Sequence, residues 1–216
     1  MSTTTAAAAA VVPEITTLTH SLSAYNTQQS PPHSFPFDLK IPSGTDLWRK
    51  PPAVFSANQP TFYTSLKLSS FASATVKLSL NPEIIYDQAG IVLLWPGRKE
   101  RWIKAGVEFV DNKLKKSVVA TGVNGWSDWS VAGESDGKNV VITMEREKDK
   151  GSALNVSCDG EVMRECQWVF EDRGRLENDE KVWVGFYGAR PDPQKIAKGD
   201  LVVQVTGWEV KVFGRD

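Results

Sequence analysis

The chain has 216 residues with 25 basic and 26 acidic side chains, a net charge of −1 and no long Lys/Arg run, so the electrostatic footprint of a nucleic-acid binder is missing. Its two cysteines and two histidines leave little room for thiol or imidazole chemistry. Once a polar N-terminal stretch is set aside, about 170 residues remain, enough for one domain with a full core.

Residues 1–40 are rich in Ser, Thr, Ala, Pro and Gln, show no sustained period and close on Pro31-Pro-His-Ser-Phe-Pro36. Such a stretch cannot build a core unaided, so it reads as a low-complexity arm, disordered or loosely docked on a domain at 41–216. The apolar run from Ala6 to Val12 is too short to span a bilayer and has no basic residue before it, and no arginine occurs in the first 39 residues. Neither a signal nor a transit peptide is expected; the expectation is a cytoplasmic protein without a membrane role. Phe35, Phe37 and Leu39 alternate, leaving room for a short edge strand that leads into Asp46-Leu-Trp48. The two phenylalanines are the residues that would close the arm over a groove as a lid.

From residue 53 onward short alternating runs are separated by turn residues, the pattern of an all-β chain. Ala74-Thr-Val-Lys-Leu-Ser-Leu80 puts its apolar residues on one face, and Phe62 to Leu68 reads the same way. Further strands are expected at 85–95, 101–110, 115–121, 139–147, 153–158, 161–170, 181–188 and 201–213, which suits a two-sheet sandwich or jelly roll. Ile84 to Trp95 is nearly apolar on both faces, as a central strand should be, whereas 140–147 alternates as at an outer position and runs into a solvated charged turn. Asp159-Gly160 reads as a two-residue hairpin turn that sets Cys158 opposite Glu161 and Cys166 opposite Ala153. The thiols are then roughly 17 Å apart, beyond disulfide reach. Two free thiols suit a reducing compartment.

Both histidines, His20 and His33, lie in the arm, so the body has no imidazole for a Ser-His-Asp or Cys-His pair. Zinc spacing and phosphate-binding glycine loops are missing as well, and no cofactor or metal is assigned. Asn178, Asp179 and Glu180 with Glu171 and Asp172 could gather calcium, although a solvated acidic loop accounts for them equally.

What remains is a sheet face. Along Arg101 to Val110 the period of two sends Ile103, Ala105, Val107 and Phe109 to one side and Trp102, Lys104, Gly106 and Glu108 to the other. The second set mixes an aromatic platform, a cation and a carboxylate, as a sugar-binding groove does, although a Lys104–Glu108 salt ladder on an exposed face is the plainer reading. Gln88 shares a strand face with Tyr86 and Gly90, and Trp126, Asp128 and Trp129 form a segment that could cap the groove or pack over a sandwich end. Glu108 has one plausible acidic partner, Asp128, and the Glu-x-Asp-x-x-Glu run of glucanases is missing, so no catalytic residue is assigned. Arg190 ends a strand before Pro191 and is expected to meet either a protein carboxylate, with Glu108 and Asp128 as candidates, or an acidic ligand group.

Trp48-Arg-Lys-Pro-Pro52, Tyr86-Asp-Gln-Ala-Gly90, Arg101 to Phe109, Trp126-Ser-Asp-Trp-Ser130 and Gly188-Ala-Arg-Pro191 together resemble a domain-of-unknown-function family that includes the fungal regulation of enolase protein. The resemblance covers residues 45–213 and implies a concanavalin A-like lectin/glucanase β-sandwich. The first functional expectation is a cytoplasmic non-enzymatic binding module whose concave face holds a carbohydrate or carbohydrate-like ligand through Gln88, Trp102, Lys104, Glu108, Trp126, Asp128, Trp129 and Arg190. The alternative, carried by the resemblance, is a regulatory factor acting on a metabolic enzyme such as enolase. Glycoside hydrolysis stands third, by analogy of architecture.

Overall fold

The computed structural model describes residues 14–19, 21–122, 124–171 and 180–214. Two antiparallel sheets form there, as the alternating runs require, and lie face to face around one apolar core. The first sheet is built from β1 (Ile15–Thr17), β3 (Phe37–Ile41), β7 (Phe71–Leu80), β12 (Val140–Arg146), β13 (Leu154–Cys158), β14 (Glu161–Cys166) and β16 (Leu201–Phe213). Its path is β1-β16-β7-β12-β13-β14, with β3 also paired to β16. The second runs β11 (Ser127–Glu134), β10 (Lys113–Thr121), β9 (Trp102–Val110), β8 (Gln88–Leu94), β15 (Lys181–Ala189), β6 (Thr61–Lys67), β2 (Ser23–Tyr25). A separate hairpin joins β4 (Leu47–Lys50) to β5 (Val54–Ala57).

The period of two explains the core directly. Ile91 and Leu93 of β8, Ile103, Ala105 and Val107 of β9, and Val182, Val184 and Phe186 of β15 meet Val76, Leu78, Ile142 and Met144 of the first sheet, all buried. Each such Leu, Ile, Val or Phe contributes about 1.5–3 kcal/mol of burial energy. β8 is buried along its whole length and lies between β9 and β15, the central position expected for it. β12 is a different case: it sits inside the first sheet between β7 and β13, and its alternation reflects one solvent-facing side rather than an outer position.

The arm takes part in both sheets. β1 and β3 pair with β16 and β2 pairs with β6, so the boundary expected at residue 40 falls within β3. Phe35 and Phe37 make no lid: their rings meet Phe186 and Phe62 edge-on inside the sandwich. Cys158 faces Glu161 as the turn predicts, but a bulge between Val156 and Ser157 brings Cys166 opposite Leu154 instead of Ala153. Both thiols are free and buried. Burial pushes Cys158 up to about 12 and Cys166 up to about 11, which keeps them protonated and unreactive. Asp172, Asn178 and Asp179, named above for calcium, and His20 lie outside the described residues.

Candidate functional site: a pocket on the far face of the second sheet

The face of β8, β9, β10 and β15 turned away from the sandwich core is covered in part by the β4–β5 hairpin. Leu47, with Trp48 and Ala57 beside it, packs on Val92, Leu94, Trp102, Val119 and Tyr187 to make a second, smaller apolar cluster. Beside that cluster a cavity of about 320 Å³ opens, lined by Asp46, Trp48, Tyr86, Gln88, Lys104, Glu108, Trp129, Pro191 and Pro193.

Its floor is polar and almost closed to solvent, with Gln88 and Lys104 each 2% exposed and Glu108 6%. Lys104 Nζ donates to Gln88 Oε1 at 2.8 Å and lies 3.7 Å from Asp46 Oδ1. The same Gln88 oxygen accepts from the Tyr187 hydroxyl at 3.3 Å, while Gln88 Nε2 donates to the Tyr86 carbonyl at 3.1 Å. Burial holds the Tyr187 phenol well above its ordinary range, with the charges of Glu108 and Asp46 adding to the effect, so the hydroxyl remains a donor. Glu108 Oε2 accepts from Ser117 Oγ at 2.7 Å and from Trp129 Nε1 at 3.0 Å.

The walls are aromatic. Trp48 and Trp129 stand edge to face with ring centres 6.4 Å apart, and Tyr86 meets Trp129 in the same manner at 6.5 Å. Lys104 Nζ sits 5.9 Å from the centres of both the Trp48 and Trp102 rings, within cation–π reach. Tyr86 has φ of +71°, a conformation uncommon for an aromatic residue and costing about 1–2 kcal/mol. Its N–H donates to the Phe109 carbonyl at 2.8 Å, which fixes the bend that turns the ring to the cavity. At the centre of the face Gly90 and Gly106 pair across β8 and β9; a Cβ on Gly90 would come within 1.9 Å of the Ala105 carbonyl oxygen. Only glycine permits that approach.

Of the eight residues expected to bind ligand, Gln88, Lys104, Glu108 and Trp129 converge on this cavity. The other four do not. Trp102 projects to the expected side of β9 but is 1% exposed beneath the hairpin, so it supports Lys104 and offers no free platform. Trp126 and Asp128 line another cleft with Asn124 and Trp168, because Asp128 and Trp129 are adjacent in β11 and point to opposite faces. The Asp128 carboxylate lies 3.5 Å from Arg164 and shares no site with Glu108. Nor do Lys104 and Glu108 form the salt ladder considered from the sequence, since their ion-pair and hydrogen-bond partners are different groups.

Arg190 meets a protein carboxylate, but neither Glu108 nor Asp128. Its Nε and Nη2 donate to Asp87 Oδ1 and Oδ2, both at 2.8 Å, and Nη1 donates to the Gly199 carbonyl at 2.8 Å. Asp87 Oδ2 also accepts from the Glu83 and Ile84 amides at 2.9 and 3.0 Å. The hydrogen bond to Asp87 raises the Arg190 pKa above its ordinary value. This buried pair braces the end of β15, from which Pro191 and Pro193 reach the cavity rim.

The pocket residues not singled out beforehand as ligand contacts are Asp46, Trp48, Tyr86, Pro191 and Pro193. Three of them, Trp48, Tyr86 and Pro191, lie within the Trp48, Tyr86 and Gly188-Pro191 blocks, and Asp46 and Pro193 stand two residues outside them. The hairpin that carries Trp48 over the sheet had its own signal in Leu47-Trp and Val54-Phe flanking Pro51-Pro52.

A family model described as "Protein of unknown function (DUF1349)" matches residues 28–211. "Uncharacterized protein AN7484" of Emericella nidulans is 34% identical over 181 residues, covering 82% of this chain and 86% of that one. "Regulation of enolase protein 1" of Saccharomyces cerevisiae is 35% identical over 94 residues, 44% of this chain and 45% of its own length. Among solved structures, a functionally unknown protein from Saccharomyces cerevisiae matches with a TM-score of 0.69 at 23% identity, covering 91% of this chain and 98% of that chain. The GH43 protein BlXynB of Bacillus licheniformis matches with a TM-score of 0.54 at 16% identity, over 82% of this chain and 32% of that chain. At such identities the likeness concerns the fold, a concanavalin A-like β-sandwich.

Proposed function

The chain belongs to the DUF1349 family of proteins of unknown function, and we propose that within this sandwich the pocket beneath Trp48 and Trp129 is a non-catalytic carbohydrate-binding site. One observation carries the reading: a cavity of about 320 Å³ has aromatic walls from Trp48, Tyr86 and Trp129 and a polar floor from Gln88, Lys104 and Glu108. Flat rings suit the apolar faces of a pyranose, and a few fixed donors and acceptors suit its hydroxyls. Preorganisation supports the same reading, because Gln88 is held by Lys104 and Tyr187 and Glu108 by Ser117 and Trp129 before any ligand arrives. The acid pairing considered for glycoside cleavage, Glu108 with Asp128, does not form, since Asp128 lies in another cleft.

A second reading rests on the 35% identity to "Regulation of enolase protein 1": contact with a metabolic enzyme such as enolase. The exposed side chains of Trp126, Val131 and Val162 offer apolar surface for it.

The test is titration calorimetry of the full chain against a panel of oligosaccharides, with purified enolase in a parallel cell and Trp129→Ala and Trp48→Ala beside the wild type. The site reading expects saccharide binding that weakens at least about tenfold in either variant, a loss of about 1.4 kcal/mol. Heat with enolase alone, unchanged in both variants, would overturn it in favour of the second reading.

A further inference from the structure

The charges around the pocket do not balance, and the imbalance narrows the ligand. Two carboxylates, Asp46 and Glu108, face one ammonium, Lys104. That ammonium is already engaged by Gln88 and Asp46 and stands 5.9 Å from two indole rings. Glu108 is in the opposite condition. It is 6% exposed, both of its donors are neutral, and both act on Oε2. Among the described residues nothing donates to Oε1, and no Lys or Arg lies within ion-pair distance of either oxygen. Lys115, directly across from Glu108 in the β9–β10 register, turns to Asp111 at 3.0 Å. Arg190 is spent on Asp87.

The Glu108 oxygen left without a protein donor is not sealed in the interior but reaches accessible space. Here it opens on a cavity whose walls are π-faces, which attract cations as well as sugars. Resting on the carbohydrate reading above, we infer that the saccharide bound here carries a free amino group, protonated and paired with Glu108 Oε1, with its ring against Trp48 and Trp129. An ammonium donor to a carboxylate on this sheltered floor forms a charge-assisted hydrogen bond, stronger than the hydroxyl contact a neutral sugar would make there. An anionic sugar meets the reverse: repulsion from Glu108, with Lys104 already occupied.

The experiment compares three oligosaccharides of equal length on the full chain by calorimetry in moderate salt: a glucosamine oligomer, its fully N-acetylated counterpart and a neutral glucose oligomer. The expected result is at least a tenfold preference for the free amine over the acetylated form. Glu108→Gln, which keeps size and an acceptor, should reduce that preference to within about twofold, because it weakens the amine far more than the acetylated or the neutral oligomer. Equal binding of amine and acetylated forms, or a preference that survives Glu108→Gln, overturns the inference and leaves the carbohydrate reading standing. No binding of any of the three overturns the inference, and the oligosaccharide panel then decides the carbohydrate reading separately. Thermal unfolding of Glu108→Gln checks that it is folded, and should it fail to fold, equal binding of the amine and acetylated forms by the wild type still overturns the inference.

Discussion

Two buried charged groups lie on either side of the same cavity, and they are built to different standards. At the β15 end Arg190 and Asp87 form a bidentate pair; Arg190 also donates to the Gly199 carbonyl and lies 3.7 Å from the Glu83 carboxylate, and Asp87 accepts from the Glu83 and Ile84 amides. On the floor, Lys104 has a 3.7 Å ion pair, and among the described residues Glu108 has no cation within ion-pair distance. A buried pair matched charge for charge is a structural clamp, since its net charge is cancelled within the fold. An incompletely matched set beside open volume is the arrangement expected of a binding site, whose last partner arrives from outside.

The largest expected effect breaks the clamp. Arg190→Ala leaves Asp87 charged and fully buried, and removing one partner of such a pair typically costs about 3–5 kcal/mol. Urea unfolding should show that loss with the slope of the transition unchanged. A cost under about 1 kcal/mol would mean that the pair is not the brace of this end of the fold.

Smaller effects are expected on the floor. Lys104→Met keeps much of the volume and frees a Gln88 oxygen that still accepts from Tyr187, while Asp46 is open enough to be rehydrated. Its cost should be about 1–2 kcal/mol, as for a lost buried hydrogen bond. Glu108→Gln, retaining an acceptor for Ser117 and Trp129, should cost less than about 1 kcal/mol while impairing ligand binding. If Glu108→Gln destabilised the protein as much as Arg190→Ala, the contrast between clamp and site would collapse.

The contrast also marks how far the sequence could be read. Period-two alternation is local, so the two faces of β9, the central position of β8 and the run of β16 followed from it, and so did the side on which Lys104 and Glu108 emerge. What covers that side is not local. Trp102 reads as a platform until Leu47 and Trp48 fold back over it, and nothing in its own strand reports the hairpin. Arg190 and Asp87 are 103 positions apart, beyond any spacing rule. Trp126 and Trp129 look equivalent in a short aromatic segment, and only the unforeseen pairing of β11 with β10 sends one to the cavity and the other away. The arm misleads for a related reason: β1 and β2 are three-residue strands that pair only with edges formed by distant parts of the chain.

The finest distinction lies in the loop joining the two regions. Asp192 sits between Pro191 and Pro193 on the cavity rim and ties the turn together, with Ser43 Oγ at 2.7 Å, Ile196 N at 2.8 Å and Ala197 N at 3.1 Å donating to its carboxylate. Burial alone would push this carboxyl up, but those three hydrogen bonds and the charge of Arg190 outweigh it and hold the pKa below its ordinary value. The sign follows: between the lowered folded value and the unfolded value near 3.9 the unfolded chain binds more protons, so the stabilisation is present above that window and lost as pH falls through it. Melting temperature followed from about pH 6 to pH 3 should therefore drop more steeply for the wild type than for Asp192→Asn, whose amide does not titrate. Hydrogen exchange at the Ile196 and Ala197 amides should accelerate over the same acid range, relative to the ordinary pH trend, before the core opens. Parallel melting curves would detach the rim from the clamp, leaving Arg190 to hold β15 without any hold on the pocket mouth.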